Sequence, residues 1–161
     1  VADWQQLRDS AHEIKQHTLR HLDFYLEQFE AACTAAGGHV HWARDADEAN
    51  RVVIDLLRAH QANEVIKVKT MTSDEVGMNA ALEAAGITPH ETDLADLIVQ
   101  MGDDRPSHIV VPALHRNKME IRRLFMEKMG LTELGDQPED LAAAARKYLR
   151  EKFLRVPFAI S

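Results

Sequence analysis

From Trp4 onward the positions Leu7, Ala11, Ile14 and Thr18 recur three and four residues apart, and the pattern then shifts by one to Leu19, Leu22, Leu26, Phe29 and Cys33. That period predicts one long helix or two abutting ones, closed at Gly37-Gly38, where glycine tolerates the left-handed backbone that ends helices. A helix of some thirty residues is roughly 45 Å long, more than a small domain covers, so its first half is expected to pack outside the chain's own core. Past the glycines, His39-Val40-His41-Trp42-Ala43 reads as a short strand. Asp45 then caps a helix carrying Ala49, Val52, Val53, Leu56 and Leu57 on one face. Strands are predicted at Glu64–Val68 and Thr88–Thr92, with a helix opened by Thr72, running through Leu82 and stopped at Gly86 between them. A helical turn is expected over Asp93–Leu97, and a β-branched strand over Ser107-His108-Ile109-Val110-Val111, ended by Pro112. Helices from about Asn117 to Met129 and from about Pro138 to Leu154 complete the pattern, which contains no internal repeat. Strands alternating with helices at this spacing predict an α/β fold, a parallel Rossmann-like sheet with helices on both faces, preceded by a long N-terminal helical arm.

Charge narrows the partners. Nineteen Lys and Arg against twenty-six Asp and Glu give a net charge of −7, which argues against a broad grip on nucleic acid. With 45% hydrophobic residues the chain has material for a core, yet no apolar run reaches the roughly 18 residues of a membrane span. The single cysteine, Cys33, cannot form an intrachain disulfide or alone hold zinc or an iron–sulfur cluster, and a reducing, cytoplasmic compartment is expected. Val1-Ala2-Asp3-Trp4 shows no basic-then-apolar signal, and both ends read as cut.

Ligands of open parallel sheets bind beyond the carboxyl ends of the strands, which directs attention to three segments. In the first, Lys67 and Lys69 lie two apart at a strand end and Thr72-Ser73-Asp74-Glu75 begins a helix, a combination suited to a carboxylate or phosphate. Thr72 and Glu75 also match a capping box, which would leave them satisfying orphan backbone donors. In the second, Glu91 and Asp93 lie two apart, and Asp93 is placed to cap the following turn. In the third, His115 follows Pro112 on a loop where it can exchange a proton near neutral pH, whereas His108 falls within the predicted strand as a core or interface histidine. The pairs His17/His21 and His39/His41 lack a third metal ligand in sequence, and no Gly-rich nucleotide loop, Gly-x-Ser-x-Gly or Cys-x-x-Cys is present.

Taken in order, these segments resemble the LUD (lactate utilization) domain family, in particular the LutB-type iron–sulfur proteins of bacterial lactate oxidation. The resemblance runs from His17-Thr18-Leu19-Arg20-His21-Leu22 through Ala36-Gly37-Gly38-His39-Val40 to Arg150-Glu151-Lys152-Phe153-Leu154. Its most specific pieces are Lys67-Val68-Lys69-Thr70-Met71 with Glu75, Gly77 and Asn79, then Glu91-Thr92-Asp93-Leu94, Gln100, and Ser107 through His115. Thr70 stands where the family prefers Ser, which keeps a hydroxyl.

The resemblance implies a fold similar to the sugar-phosphate isomerase and CoA-transferase group (the NagB/RpiA/CoA-transferase-like fold). It divides the chain into an arm, 1–36, and the N-terminal half of a LUD domain, 37–161, that continues beyond Ser161. The implied function is a component of a multi-subunit system that oxidises L-lactate to pyruvate by electron transfer. The family's cysteine-rich motifs are missing from this chain, so 4Fe-4S clusters are expected only in a full-length protein, no cofactor is expected here, and the isolated chain is expected to be inactive. A ligand site for a small carboxylate is carried over onto Lys67, Lys69, Thr70, Thr72, Glu75, Asn79, Asp93 and His115, with His115 the candidate catalytic group. Expected partners are the other subunits and a second copy bound through the N-terminal helix, with no nucleic acid and no membrane span. The alternative reading is a non-redox binding or regulatory module for a small anionic metabolite: a carboxylate, a sugar phosphate or a CoA ester.

Overall fold

Residues 3–161 are described by the computed structural model, and packing divides the chain into two units, one ending at Trp42 and the other running from Ala43 to Ser161. Val1 and Ala2, where the expected arm begins, lie outside the described residues. In the first unit the one-residue shift of the apolar pattern is a physical break. Helix α1 (Trp4–Arg20) ends at His21, whose φ of −122° and ψ of 31° are not helical, and α2 (Leu22–Ala35) starts after it. No described residue of either helix is buried. His39–Ala43 is not a strand: it joins no ladder among the described residues, and Trp42 donates its indole N–H to Glu30 of α2 at 3.2 Å. A strand needs a neighbour's backbone groups to be worth forming, and this segment has none.

Capping chemistry sets the helices of the second unit. Asp45 accepts from the Glu48 amide at 2.8 Å and opens α3 (Ala46–Ala59). Asn117 and Glu120 form a reciprocal capping box at the start of α7 (Lys118–Met129), and α8 (Pro138–Arg155) begins with proline at its first turn, where no N–H is missed. The strands are β1 (Glu64–Lys67), β2 (Thr88–Glu91) and β3 (Ala159–Ile160), all parallel, in the order β2-β1-β3. The result is a mixed α/β fold with a small parallel sheet. The third strand was not anticipated, because two residues carry no periodicity. It forms where the Ile66 amide donates to Phe158 O and the Val68 amide to Ile160 O.

Between β1 and β2 the expected single helix is two, α4 (Met71–Glu75) and α5 (Met78–Ala84). Gly77, at φ +65°, takes the left-handed conformation that a side chain resists, and buried Asn50 of α3 fixes the break by donating to Val76 O at 2.7 Å. The N-cap of α4 is Thr70, so the Thr72–Glu75 capping box does not form. Asp93 caps α6 (Leu94–Met101), a longer helix than the turn expected, by accepting from the Ala95 and Asp96 amides.

The largest departure is Ser107–Val111, which is not a strand: Ile109 and Val110 are 60% and 63% exposed. His108, expected in a core or interface, is exposed, and its Nδ1 accepts from the Val110 and Val111 amides at 3.1 Å each. Ser107 donates through both amide and hydroxyl to Pro112 O. These local bonds satisfy the groups that a ladder would have used.

Two apolar clusters hold the unit. One joins Leu97, Ile98 and Val99 of α6 to Leu124 and Phe125 of α7 and Leu141, Ala145 and Leu149 of α8. The other joins Leu57, Val65, Met78, Leu82 and Ile87, with Phe158 and Ile160 against it. No described helix is long and apolar enough to cross a membrane. Phe125 is fully buried and Leu154 is 71% exposed. Phe125→Ala is therefore expected to cost about 3–5 kcal/mol and Leu154→Ala less than about 0.5 kcal/mol, as read from urea unfolding.

Candidate functional site

Strand alternation sends Val65 and Lys67 to one face of β1, and the parallel register sets Lys67 directly against Glu91 of β2. Lys67 is the last residue of β1 and is only 1% exposed. Its ammonium donates at 2.7 Å to Glu91 Oε1 and at 2.7 Å to Asp74 Oδ1. Glu91 is itself 4% exposed, whereas the Asp74 side chain, on α4, is 54% exposed. Asn79 of α5 adds a bond from Nδ2 to the same Glu91 oxygen at 2.8 Å. Burial opposes the charge on Lys67, but the hydrogen bonds to Asp74 and Glu91 outweigh it, so its pKa stands above that of an ordinary lysine.

A second ion cluster lies one strand-repeat further along. Lys69 donates to Asp96 Oδ2 at 3.2 Å and approaches Asp93 at 3.8 Å, with 29% of its side chain exposed. Burial raises the pKa of Asp96 above the usual carboxylate value, against the lowering effect of Lys69. Gln100 of α6 secures the wall between the clusters. Its amide donates to Pro89 O at 2.8 Å and accepts from the Glu91 amide at 3.1 Å, which pairs the outer edge of β2 as another strand would.

A cavity of about 350 Å³ opens between α4, α5 and α6, and its walls include Asp74, Glu83, Glu91, Asp96, Asp103 and Asp104. No lysine or arginine lines it; Lys67 lies behind Asp74 and Glu91, and Lys69 behind Asp96. Asp104 is gripped by Arg116 at 2.7 and 2.8 Å and meets His115 Nε2 at 3.2 Å. Arg116 first and His115 second hold its carboxyl well down, to about 2.

Of the residues singled out from sequence, the fold unites Lys67 with Asn79 through Glu91, and Lys69 with Asp93 through their shared ion cluster. Thr70 serves as the α4 N-cap and accepts from buried Ser73 through its carbonyl, and Thr72 and Glu75 are exposed and outside the cavity wall. His115 reaches the cavity through Asp104. Sequence reasoning missed Asp74, Asp96 and Asp104 as partners of these groups. Charge pairing across the sheet, which sets Lys67 against Glu91, points to the cross-strand partner alone and not to these three.

The residues present do not fit an iron–sulfur cluster, which takes about four thiolates, since Cys33 is the one cysteine of the sequence. Among the described residues no group of three or more His, Cys, Asp or Glu side chains is placed to hold a metal ion.

Removing Lys67 strands a buried carboxylate. Lys67→Met is expected to cost about 3–5 kcal/mol at neutral pH, as read from urea unfolding. In the wild type, Asp104 and Glu64, each held at about 2 by an arginine first and a histidine second, give stability that is present above the usual carboxylate values. That stability is lost as pH falls toward 2, and Asp104→Asn is expected to flatten this limb of the thermal midpoint profile.

The LUD domain family model matches residues 26–161. Among relatives, Lactate utilization protein B of Macrococcus caseolyticus is 46% identical over 162 residues, that of Shouchella clausii 43% over 162, and that of Bacillus cereus 40% over 161. Each match covers 100% of this chain and 34% of the relative, so the chain spans about a third of their length. No solved structure matches. With the family model covering most of its length, this chain belongs to the LUD domain family.

Proposed function

We propose that the chain is the LUD portion of a component that takes part, with other subunits, in the cytoplasmic oxidation of L-lactate to pyruvate. The observation that carries this is 40–46% identity, spanning the whole chain, to proteins named Lactate utilization protein B. In this reading the 4Fe-4S clusters belong to sequence outside these 161 residues, and the sheet follows the NagB/RpiA/CoA-transferase-like plan. The small carboxylate binds at the β1 end, around Lys67 and Lys69 with Asn79 and Asp93, while Thr70, Thr72 and Glu75 shape α4 beside it.

Lactate oxidation removes the hydroxyl proton and, from C2, a hydrogen together with two electrons, and the C2 step requires a redox group that these 161 residues do not supply. A proton acceptor is at hand. Asp104, kept ionised by Arg116, can only accept a hydrogen bond, so its contact with His115 fixes the hydrogen on Nε2 and leaves Nδ1 to take the hydroxyl proton.

Self-association through the arm completes the proposal, supported by the exposure of Trp4, Leu7, Ile14 and Leu19 on α1 and the absence of any buried residue there. Deleting residues 1–14 is expected to convert the assembly to monomer in sedimentation velocity while the α/β unit keeps its unfolding transition; an unchanged sedimentation coefficient would contradict this. Deletion of the full-length gene is expected to abolish growth on L-lactate as sole carbon source, with growth restored by the wild-type gene. Undiminished growth on lactate would count against the functional reading.

A further inference from the structure

Lys67 is a fully buried cation shared by two carboxylates of different standing. Glu91 is fixed on β2, buried and backed by Asn79. Asp74 rides on a five-residue helix and keeps more than half of its side chain in solvent. Both carboxylates form part of the wall of the same cavity, whose volume of about 350 Å³ exceeds that of a three-carbon acid.

We propose that Asp74 is an internal stand-in for the ligand's carboxylate: a small carboxylic acid entering the cavity displaces Asp74 from Lys67 and takes its place beside Glu91. The inference rests on the carboxylate reading above. Exchange leaves the Lys67 ammonium with two carboxylate partners, the ligand's beside that of Glu91, while Asp74 turns to solvent. It breaks the ion pair whose carboxylate is half-exposed and leaves the fully buried one intact. Asp103 on the same wall makes no ion pair among the described residues, and its carboxylate accepts hydrogen bonds. A 2-hydroxy acid donates its hydroxyl to such a wall, whereas a 2-oxo acid or an unsubstituted acid has nothing to donate. The site therefore holds lactate in preference to pyruvate or propionate, and releases the oxidised product.

The test is calorimetric titration of the full-length protein with L-lactate, pyruvate and propionate. Asp74→Asn and Asp74→Ala are expected to raise lactate affinity on the order of tenfold, by removing the competing closed state. Glu83→Gln takes the same charge from the same cavity without freeing Lys67, and is expected to change affinity less than about threefold. Lactate is expected to bind the Asp74 variants more tightly than either comparator. Equal lactate affinity in wild type and both Asp74 variants, or a gain in Glu83→Gln as large as theirs, overturns the exchange while leaving a carboxylate site elsewhere at the strand ends. No lactate binding by any folded form overturns the carboxylate reading itself.

Discussion

A lysine ammonium taken out of water at the end of a parallel strand is the constraint around which the α/β unit is arranged. Unpaired, that charge would be prohibitive in the interior, so Lys67 requires a carboxylate at hydrogen-bond distance. The register of β1 and β2 supplies Glu91 as its cross-strand neighbour. Glu91, once buried, needs its own support, which comes from Asn79 at the side chain and Gln100 at the backbone amide. One buried charge thus ties β1, β2, α5 and α6 together. Glu91, Asn79 and Gln100 also bound the cavity, so the arrangement that stabilises the strand ends sets part of its wall.

Electrostatics in this region work through exchange of partners. The two lysines at the strand end suggest an open anion site, yet each ammonium is already held by carboxylates of the chain. The cavity therefore presents acceptors to solvent and keeps its cations behind them. An anion gains nothing by approaching such a surface unless it replaces one of those acceptors, and the half-exposed Asp74 is the one least tightly built in. Asp104, kept ionised by Arg116, is likewise already occupied, and it orients the His115 imidazole through a 3.2 Å contact.

What was legible in the sequence divides along physical lines. Elements with local signals were readable: the Asp45 and Asp93 caps, the helices beginning near Asn117 and Pro138, and the short β-branched run of β1. Elements defined by a distant partner were not. Ser107–Val111 has strand-forming side chains but folds back on its own polar groups, and Ala159–Ile160 has no pattern yet pairs with β1. Among the residues of the two ion clusters, Lys67, Lys69 and Asp93 stood out by spacing at the strand ends and by family resemblance, and Asn79 by resemblance alone. Their counter-ions Asp74 and Asp96 were hidden because each sits in the first turn of a short helix, and its meeting with a lysine is a tertiary contact with no local pattern.

The most direct test follows the Asp74 and Glu91 carboxyl carbons by NMR while L-lactate is added to the full-length protein. The account predicts that the Asp74 resonance moves to the position of a solvated carboxylate at saturation while Glu91 stays in place. An Asp74 resonance that does not move under saturating lactate would contradict it.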